Sequence, residues 1–190
     1  MTKTQFSPDT PITRAQFVTM LMQGLGIQSQ ENDDAFKDIQ AGDWFYSSVK
    51  SAKELGIISG NQNGLFNPHA NISRQEIAVI LNNTLNIMGY TQTQGTIDVV
   101  PQEIDVVSSA TYKQEPQPET ITSNSVSKNN SIFIDVDAIS SWSKNAVEVV
   151  STAGIISGYP DKTFRPSQNT TRAEASSVLV KLFKHIEFLY

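Results

Sequence analysis

Apolar residues recur at helical spacing in three similar segments of the chain. Their spacing of three, four and seven residues is that of a helix that buries one face. The three apolar stripes consist of Phe17, Met20, Leu21 and Leu25, of Ile77, Ile80, Leu81 and Leu85, and of Ala175, Val178, Leu179 and Phe183. This repetition predicts three amphipathic helices that pack together through their stripes.

A helix-capping signal stands before each stripe. A Ser or Thr is followed three residues later by Glu or Gln, so that the hydroxyl can accept from an amide of the first turn while the longer side chain reaches back to the cap residue. The pairs are Thr13 and Gln16, Ser73 and Glu76, and Thr171 and Glu174. We therefore predict that the three helices start at these positions.

A second, shorter apolar pattern occurs twice and is followed each time by the segment GIISG. Its members are Val49, Ala52 and Leu55, which match Val147, Val150 and Ala153. The first glycine of the segment, Gly56 or Gly154, is expected to end a helix in the left-handed conformation, because glycine takes positive φ without a Cβ clash. The two Ile residues then enter the core. The second glycine is expected to let the chain turn sharply, with bare backbone facing outward.

The sequence aligns with itself at two offsets. A shift of 98 residues places Trp44 on Trp142, and a shift of 60 residues places Arg14 on Arg74. The segments FSPDTPITRAQ, FNPHANISRQE and FRPSQNTTRAE are thus three versions of one element. We divide the chain into the second half of a first unit (1–28), a second unit (35–88), an insertion (89–131) and a third unit (132–190).

The insertion is rich in Ser, Thr, Gln and Asn and contains EPQPE, a composition that favours a solvated linker. A small β-hairpin is the alternative, because IDVV occurs twice around Pro-Gln-Glu and its β-branched residues could pair as strands.

The amino-acid composition excludes several classes of function. The 190 residues are 38% hydrophobic, carry a formal net charge of −5 and include no cysteine. Disulfides, thiolate metal sites and cysteine nucleophiles are therefore excluded, and the acidic balance argues against general nucleic-acid binding. No run approaches the roughly 18 apolar residues of a membrane span. The first sixteen residues lack the apolar core of a signal peptide, so we interpret the chain as a mature protein or a fragment.

The order of the motifs F-x-D, Trp, GIISG, F-x-P and [ST]-R-x-[EQ] closely resembles the S-layer homology domain over nearly all the chain except the insertion. The resemblance implies an all-α fold, a pseudo-threefold spindle of helix-loop-helix repeats around a central three-helix bundle, with grooves between neighbouring units. It implies an extracellular location, at the bacterial cell wall or in an S-layer. It also implies non-covalent binding of a secondary cell-wall polysaccharide, commonly bearing a pyruvate ketal whose carboxylate is the anchor point.

The resemblance further implies which residues bind the ligand. The family's TRAE arginine corresponds to Arg14, Arg74 and Arg172, its groove tryptophan to Trp44 and Trp142, and its small turn residues to Ser59, Gly60, Ser157 and Gly158. An arginine in the first turn is poorly placed for the helix dipole, so three copies of it indicate a role other than helix stability. Its planar charged group suits a carboxylate, and an indole face can lie against a sugar ring.

Three features depart from the family pattern. No F-x-D half precedes Phe6, and we expect this to affect the groove of Arg14 most. Gln16 stands where the family has an acid, and the insertion is unusual. We therefore expect Arg74 and Arg172 to contribute most of the affinity for the anion.

Structural roles compete with some of these assignments. The Trp residues could belong to the core or to a groove, and the arginines could form surface ion pairs. Asp38 and Asp135 could bind sugar hydroxyls, but we favour hydrogen bonds to loop amides. For His69 and His185 we expect a solvated side chain and no metal. The segment DVDAISS lacks the Gly and Glu of a calcium loop.

These observations favour a non-catalytic, carbohydrate-binding anchor that attaches a surface-layer or extracellular protein to the wall. The alternative is a self-assembly module in which a neighbouring chain completes the half unit. We expect no enzyme and no cofactor, because the sequence has no nucleophile elbow, phosphate loop or zinc motif and no pair of acids that stands out as catalytic. Neither nucleic acid nor membrane insertion is expected.

Overall fold

The repeated motifs form α-helices of two kinds. The computed structural model describes residues 6–28, 36–93, 96–99 and 132–187. Helices of the first kind are α1 (Arg14–Leu25), α3 (Arg74–Ile87) and α5 (Arg172–Glu187), and helices of the second kind are α2 (Tyr46–Glu54) and α4 (Lys144–Thr152). Two 3₁₀ turns, Val136–Ala138 and Ser141–Ser143, precede α4. The described part of the chain is therefore mostly helical, and none of its helices is long and apolar enough to cross a membrane.

Capping boxes begin all three helices of the first kind, as predicted. The Thr13 amide donates to Oε1 of Gln16 at 3.1 Å, and the amides of Ser73 and Thr171 donate to Oε2 of Glu76 and Glu174 at 2.8 and 2.9 Å. These side chains satisfy amides that the first turn would otherwise leave without partners.

The predicted apolar stripes form the core. Helix α1 packs against α2, α3 packs against α4, and α1 also contacts α5. All stripe residues are buried except Met20, Leu25 and Phe183, which are half-buried. Phe183 of α5 lies so close to Gly24 of α1 that a Cβ there would meet the ring at 2.1 Å. Contact between α1 and α5 thus depends on a glycine that the periodicity does not single out.

The loops before α1, α3 and α5 are joined by backbone hydrogen bonds that form a closed cycle. The Ile12 amide donates to Thr170 O (2.9 Å), the Thr170 amide to Ile72 O (3.0 Å), and the Ile72 amide to Ile12 O (3.1 Å). A second cycle runs in the opposite direction, since the amides of Arg14, Arg74 and Arg172 donate to the carbonyls of Ala70, Gln168 and Thr10. Each loop therefore binds both of the others, although about 60 to 160 residues separate them along the chain.

The first half of each GIISG segment behaves as predicted. Gly56 and Gly154 have φ values of 73° and 71° and follow the ends of α2 and α4. The amides of Ile57 and Ile58 both donate to Ala52 O, and the next two residues after Gly154 make the same pair of bonds to Val150 O. All four Ile side chains are buried. The left-handed glycine thus redirects the chain so that both isoleucines reach the core.

The second glycine of each segment has a different role from the one predicted. Gly60 and Gly158 are not left-handed, so the expectation of a sharp turn that needs glycine's freedom is wrong. A Cβ at Gly60 would lie 2.9 Å from the Phe36 ring, and one at Gly158 would lie 2.6 Å from the Phe133 ring. Glycine is required here because the aromatic ring of the F-x-D motif packs directly on the backbone.

A β-hairpin begins the insertion, but its pairing differs from the one predicted. Strand β1 (Tyr90–Thr93) pairs antiparallel with β2 (Thr96–Val99), so Tyr90 faces Val99. The first IDVV run thus lies largely in β2 and pairs with residues before it. The linker expectation is wrong for residues 90–93 and 96–99, because they form paired strands and because Tyr90 is buried and its hydroxyl donates to Ile186 O at 3.4 Å. The second IDVV run lies outside the described residues.

The glycine and aromatic contact gives a stability prediction. We expect Gly158→Ala to lower the free energy of unfolding by about 1–3 kcal/mol, because the new methyl group overlaps the buried Phe133 ring. Urea unfolding followed by circular dichroism measures this. Gly42→Ala is the matched control, because a Cβ there meets nothing within 4 Å. Equal stabilities of the two variants would contradict the packing role of Gly158.

Candidate functional site

A cavity lies where three units meet, and we call it the first cavity. It has a volume of about 740 Å³ and is lined by Arg14 of α1, by the turn of the second unit including Ser59 and Gly60, by Asn83 of α3, and by Trp142 of the third unit. The side-chain amides of Asn61, Gln62, Asn67 and Asn71 also line it. The fold thus brings together predicted site residues that are far apart in sequence.

A second cavity occupies the equivalent seam one unit further along. It has a volume of about 360 Å³ and is lined by Arg74 of α3, by Ser157, Gly158 and Tyr159 of the third unit, and by the face of α5 that carries Glu174 and Lys181. It is smaller than the first cavity, and no tryptophan is among its described lining residues.

Arg14 is held by contacts across the first seam. Its Nε donates to Phe66 O at 2.8 Å, and its Nη1 lies 2.6 Å from Oε1 of Glu76. The guanidinium also lies over the Phe66 ring, 4.9 Å from its centre. The side chain is 15% exposed. The ion-pair alternative therefore holds for Arg14, although the pair is partly buried and lines the cavity.

Arg74 is held still more completely across the second seam. Its Nε donates to Phe164 O at 2.7 Å and its Nη2 to Ser157 O at 3.0 Å, while Nη1 lies 4.0 Å from Glu174. The Tyr159 ring lies under the guanidinium, with its centre 4.7 Å away. Only 7% of the side chain is exposed. Arg74 thus joins the two units from a buried position and presents little of its guanidinium to the cavity.

Glu174 and Tyr159 share a hydrogen bond in the second cavity. The Tyr159 hydroxyl donates to Oε1 of Glu174 at 2.6 Å. Burial and this bond raise the pKa of Tyr159. Burial alone would raise the pKa of Glu174, but hydrogen bonds from Thr171 and Tyr159 and the charge of Arg74 bring it below its usual value. At neutral pH the tyrosine is therefore protonated and the glutamate ionised.

Arg172 lies in neither cavity. Its Nε donates to Phe6 O at 3.1 Å, which is the same cross-unit bond that Arg14 and Arg74 make. By the cyclic pattern its acid partner would stand at Gln16, and within the described residues no carboxylate oxygen lies within 4.0 Å of Arg172. We expected Arg74 and Arg172 to contribute most of the affinity, whereas the arginines that line these two cavities are Arg14 and Arg74. Each arginine faces the turn of the following unit, so Arg14 meets the turn at 57–62 and Arg172 meets none in the described chain.

The tryptophans are not core residues. Trp44 and Trp142 are 64% and 58% exposed. Trp142 lines the first cavity, whereas Trp44 lines neither cavity. Two residues at equivalent positions and with similar exposure therefore differ in their relation to the candidate site.

Asp38 and Asp135 bind backbone amides of the F-x-P loops, as the favoured interpretation predicted. Asp38 accepts from the amides of Phe66 and Asn67 at 2.9 and 2.7 Å. Asp135 accepts from the amides of the two equivalent loop residues, each at 2.7 Å. Both oxygens of each carboxylate are thus occupied by the loop, and neither aspartate lines a cavity.

The two histidines differ. His69 is exposed, and the Phe45 ring lies edge-on to it, 5.8 Å away. His185 is not solvated as expected, because it is half-buried beside Tyr90, its Nε2 is buried without a partner, and burial lowers its pKa. Within the described residues, no group of three or more acidic, His or Cys side chains could hold a metal ion.

Sequence reasoning missed Tyr159, Lys181 and the amide side chains of the first cavity. A comparison of the units position by position would have found Lys181, because it stands nine residues after Arg172 as Asn83 stands nine after Arg74. Nothing in the sequence alone shows that these positions line a cavity, since that depends on which units are neighbours.

Comparison with known proteins identifies the class to which these units belong. Residues 35–78 and 133–176 match the family model described as the S-layer homology domain. Both segments run from the F-x-D motif into the first turns of α3 and α5. The chain thus contains two segments that match the S-layer homology domain family.

Similar sequences occur within much longer proteins. The chain is 29% identical over 184 residues to the amylopullulanase of Thermoanaerobacterium thermosulfurigenes, a match that covers 97% of this chain and 8% of that protein. It is 24% identical to cell surface glycoprotein 1 of Acetivibrio thermocellus, over 92% of this chain and 6% of that protein. The outer membrane protein SlpA of Thermus thermophilus is 46% identical over 55 residues, 29% of this chain and 6% of that protein. The chain thus spans only a small part of each relative.

The contacts of Arg74 predict a structural cost for its removal. We expect Arg74→Ala to lower the free energy of unfolding by about 2–4 kcal/mol, because the buried Phe164 O and the Ser157 O at a part-buried bond lose their charged donor. Arg172→Ala is the control and should cost less than about 1 kcal/mol, since it removes one bond at an exposed site. Denaturant unfolding of both variants tests this, and equal losses would contradict the buried role of Arg74.

The lowered pKa of Glu174 predicts a pH-dependent contribution to stability. Because its folded-state pKa lies below the usual 4.5, the ionised carboxylate stabilises the fold above about that pH, and this contribution is lost as the pH falls through the folded-state value. The difference in unfolding free energy between wild type and Glu174→Gln should therefore be larger at pH 7 than at pH 3. Tyr159→Phe removes a hydrogen-bond donor to Glu174. The unfolding free energy of this variant should therefore depend less on pH, between pH 3 and pH 7, than that of wild type. A difference independent of pH would show that the charge of Glu174 does not matter.

Proposed function

We propose that this chain is a non-catalytic module that binds secondary cell-wall polysaccharide and anchors a larger protein at the bacterial cell surface. The observation that carries the proposal is the first cavity, in which an arginine, a GIISG turn and an exposed Trp142 come together from three different units. The two matches to the S-layer homology domain family and the printed names of the relatives, among them a cell surface glycoprotein, support the same location.

The chemistry of the first cavity suits a sugar. Its volume of about 740 Å³ lies within the range of about 300–1,000 Å³ that is typical of ligand pockets. The exposed indole of Trp142 offers a flat apolar face, and the amides of Asn61, Gln62, Asn67 and Asn71 offer donors and acceptors for hydroxyl groups. Arg14 is already oriented by Phe66 O and Glu76, so a ligand need not order it.

We further propose a pseudo-threefold spindle in which the three first-kind helices surround a common axis. The cyclic hydrogen bonds among Ile12, Ile72 and Thr170 support this arrangement. The proposed units are residues 1–28, 35–88 and 132–190, with residues 89–131 inserted between the second and third. The proposed polymer is anionic and bears a pyruvate ketal, as the resemblance of the repeated motifs implies, and the second cavity, with two cations and one anion among its lining residues, supports an anionic ligand.

The described carboxylates favour binding over catalysis. Glycoside hydrolysis ordinarily needs two carboxyl groups that face one bond. The first cavity has one lining carboxylate, Glu76, and the second has one, Glu174. Each caps a helix through one oxygen; through the other, Glu76 binds Arg14 across the first seam and Glu174 accepts from Tyr159 of its own unit.

Self-assembly is a second candidate function, which the exposed face of α5 favours. Met22 of α1 is buried, with 3% exposure, on the helix that packs against α2. Val180, its equivalent on α5, is 51% exposed, and no helix of the second kind packs against α5 in the described chain. A neighbouring chain that covered this face would make a dimer. Sedimentation at micromolar concentration measures whether the chain is a monomer or a dimer. A monomer that binds wall polymer would show that glycan binding does not require self-assembly.

The tryptophan pair gives the test of the glycan proposal. We expect Trp142→Ala to weaken binding to purified wall polymer by about tenfold, equivalent to about 1.4 kcal/mol, because an aromatic face in the cavity is lost. Trp44→Ala is the matched control and should bind as wild type does, because Trp44 lines neither cavity. Calorimetric titration measures both. Equal losses in the two variants, or none, would reject the first cavity as the binding site.

A further inference from the structure

Asn83 and Lys181 occupy the same place in the two cavities but carry different chemistry. Each stands nine residues after the arginine that begins its helix, and each faces the GIISG turn opposite. Asn83 donates its Nδ2 to Ile57 O at 3.1 Å. Lys181 places its Nζ 3.2 Å from Oγ of Ser157. A neutral amide in the first cavity is thus replaced by an ammonium group in the second.

This replacement changes the charge of the second cavity. The first cavity has one cation and one anion among its lining residues, Arg14 and Glu76, which pair with each other at 2.6 Å. The second has two cations, Arg74 and Lys181, and one anion, Glu174. The first cavity is therefore balanced, and the second has an excess positive charge.

Lys181 is the cation of the second cavity that remains available to a ligand. All three nitrogens of the Arg74 guanidinium have a neighbour, namely Phe164 O, Ser157 O or Glu174, and its side chain is 7% exposed. Lys181 is exposed, and in the described chain no carboxylate oxygen lies within 4.0 Å of its Nζ. With one contact to a serine hydroxyl, the ammonium retains donors for an anion.

We propose that Lys181, together with the Ser157 hydroxyl, binds the carboxylate of an anionic sugar in the second cavity, whereas the first cavity takes an uncharged part of the glycan. The inference rests on the proposed function and assigns different sugars to its two cavities. Arg74 has a positioning role here, because it holds the turn that carries Ser157. A lysine suits this position, since a compact charge on a flexible stem can follow the ligand carboxylate.

Reciprocal substitutions test the assignment. Lys181→Asn gives the second cavity the residue of the first, and Asn83→Lys does the reverse. The probes are a soluble hexoside carrying a pyruvate ketal and the same hexoside without it, titrated by calorimetry at low and at moderate salt. We expect Lys181→Asn to weaken binding of the ketal hexoside about tenfold, to leave the ketal-free hexoside unchanged, and to flatten the salt dependence. We expect Asn83→Lys to strengthen binding of the ketal hexoside.

The possible outcomes separate this inference from the proposed function. If the wild-type chain binds neither the hexosides nor the wall polymer, both this inference and the proposed function are rejected. The wild-type chain and the Lys181→Asn variant could both prefer the ketal hexoside, with the same salt dependence. That result would reject the role of Lys181 but not the proposed function. Lys181 is exposed, so the variant should unfold at the wild-type denaturant concentration, and this measurement shows that a loss of binding is not a loss of fold.

Discussion

The cyclic backbone hydrogen bonds among the loops before α1, α3 and α5 are the constraint on which the rest of the structure depends. Because Ile12, Ile72 and Thr170 each donate to the preceding loop of the cycle, every unit has the same relation to its neighbours. That relation places the first-turn arginine of one unit against the F-x-P carbonyl of the following unit, as the bonds to Phe66 O, Phe164 O and Phe6 O show. The cavities are consequences of this arrangement, since they lie where a turn approaches an arginine across a seam.

Local features could be predicted from the sequence, whereas relations between units could not. Capping boxes and left-handed glycines depend on a few neighbouring residues, so Thr13 with Gln16 and Gly56 were predicted correctly. The second glycine of each GIISG segment was misread, because its need for glycine comes from an aromatic ring more than 20 residues away. The placement of Arg14, and not Arg172, beside a turn could not be predicted for the same reason, since only the order of the units around the cycle shows which arginine meets a turn.

The seam residues have structural and functional roles at once. Glu76 caps α3 through one oxygen and pairs with Arg14 through the other, and Glu174 caps α5 while accepting from Tyr159. Three copies of an arginine at an unfavourable helix position were interpreted as a sign of ligand binding. The structure adds a cause that needs no ligand, because each copy bonds to a carbonyl of the next unit. Repetition of a residue therefore does not separate the two roles, and only exposure to a cavity does.

The two cavities share one framework and differ at their walls. The arginine, the second isoleucine, the serine and the second glycine are the same in both, whereas Asn61 and Asn83 of the first cavity become Tyr159 and Lys181 in the second. If both cavities bind sugar as proposed, a polymer that repeats its sugars can occupy both of them at once. The second contact is then intramolecular, so overall affinity can exceed that of either cavity alone. Two modest and chemically distinct sites are thus sufficient for a durable anchor, provided that the polymer spans the distance between them.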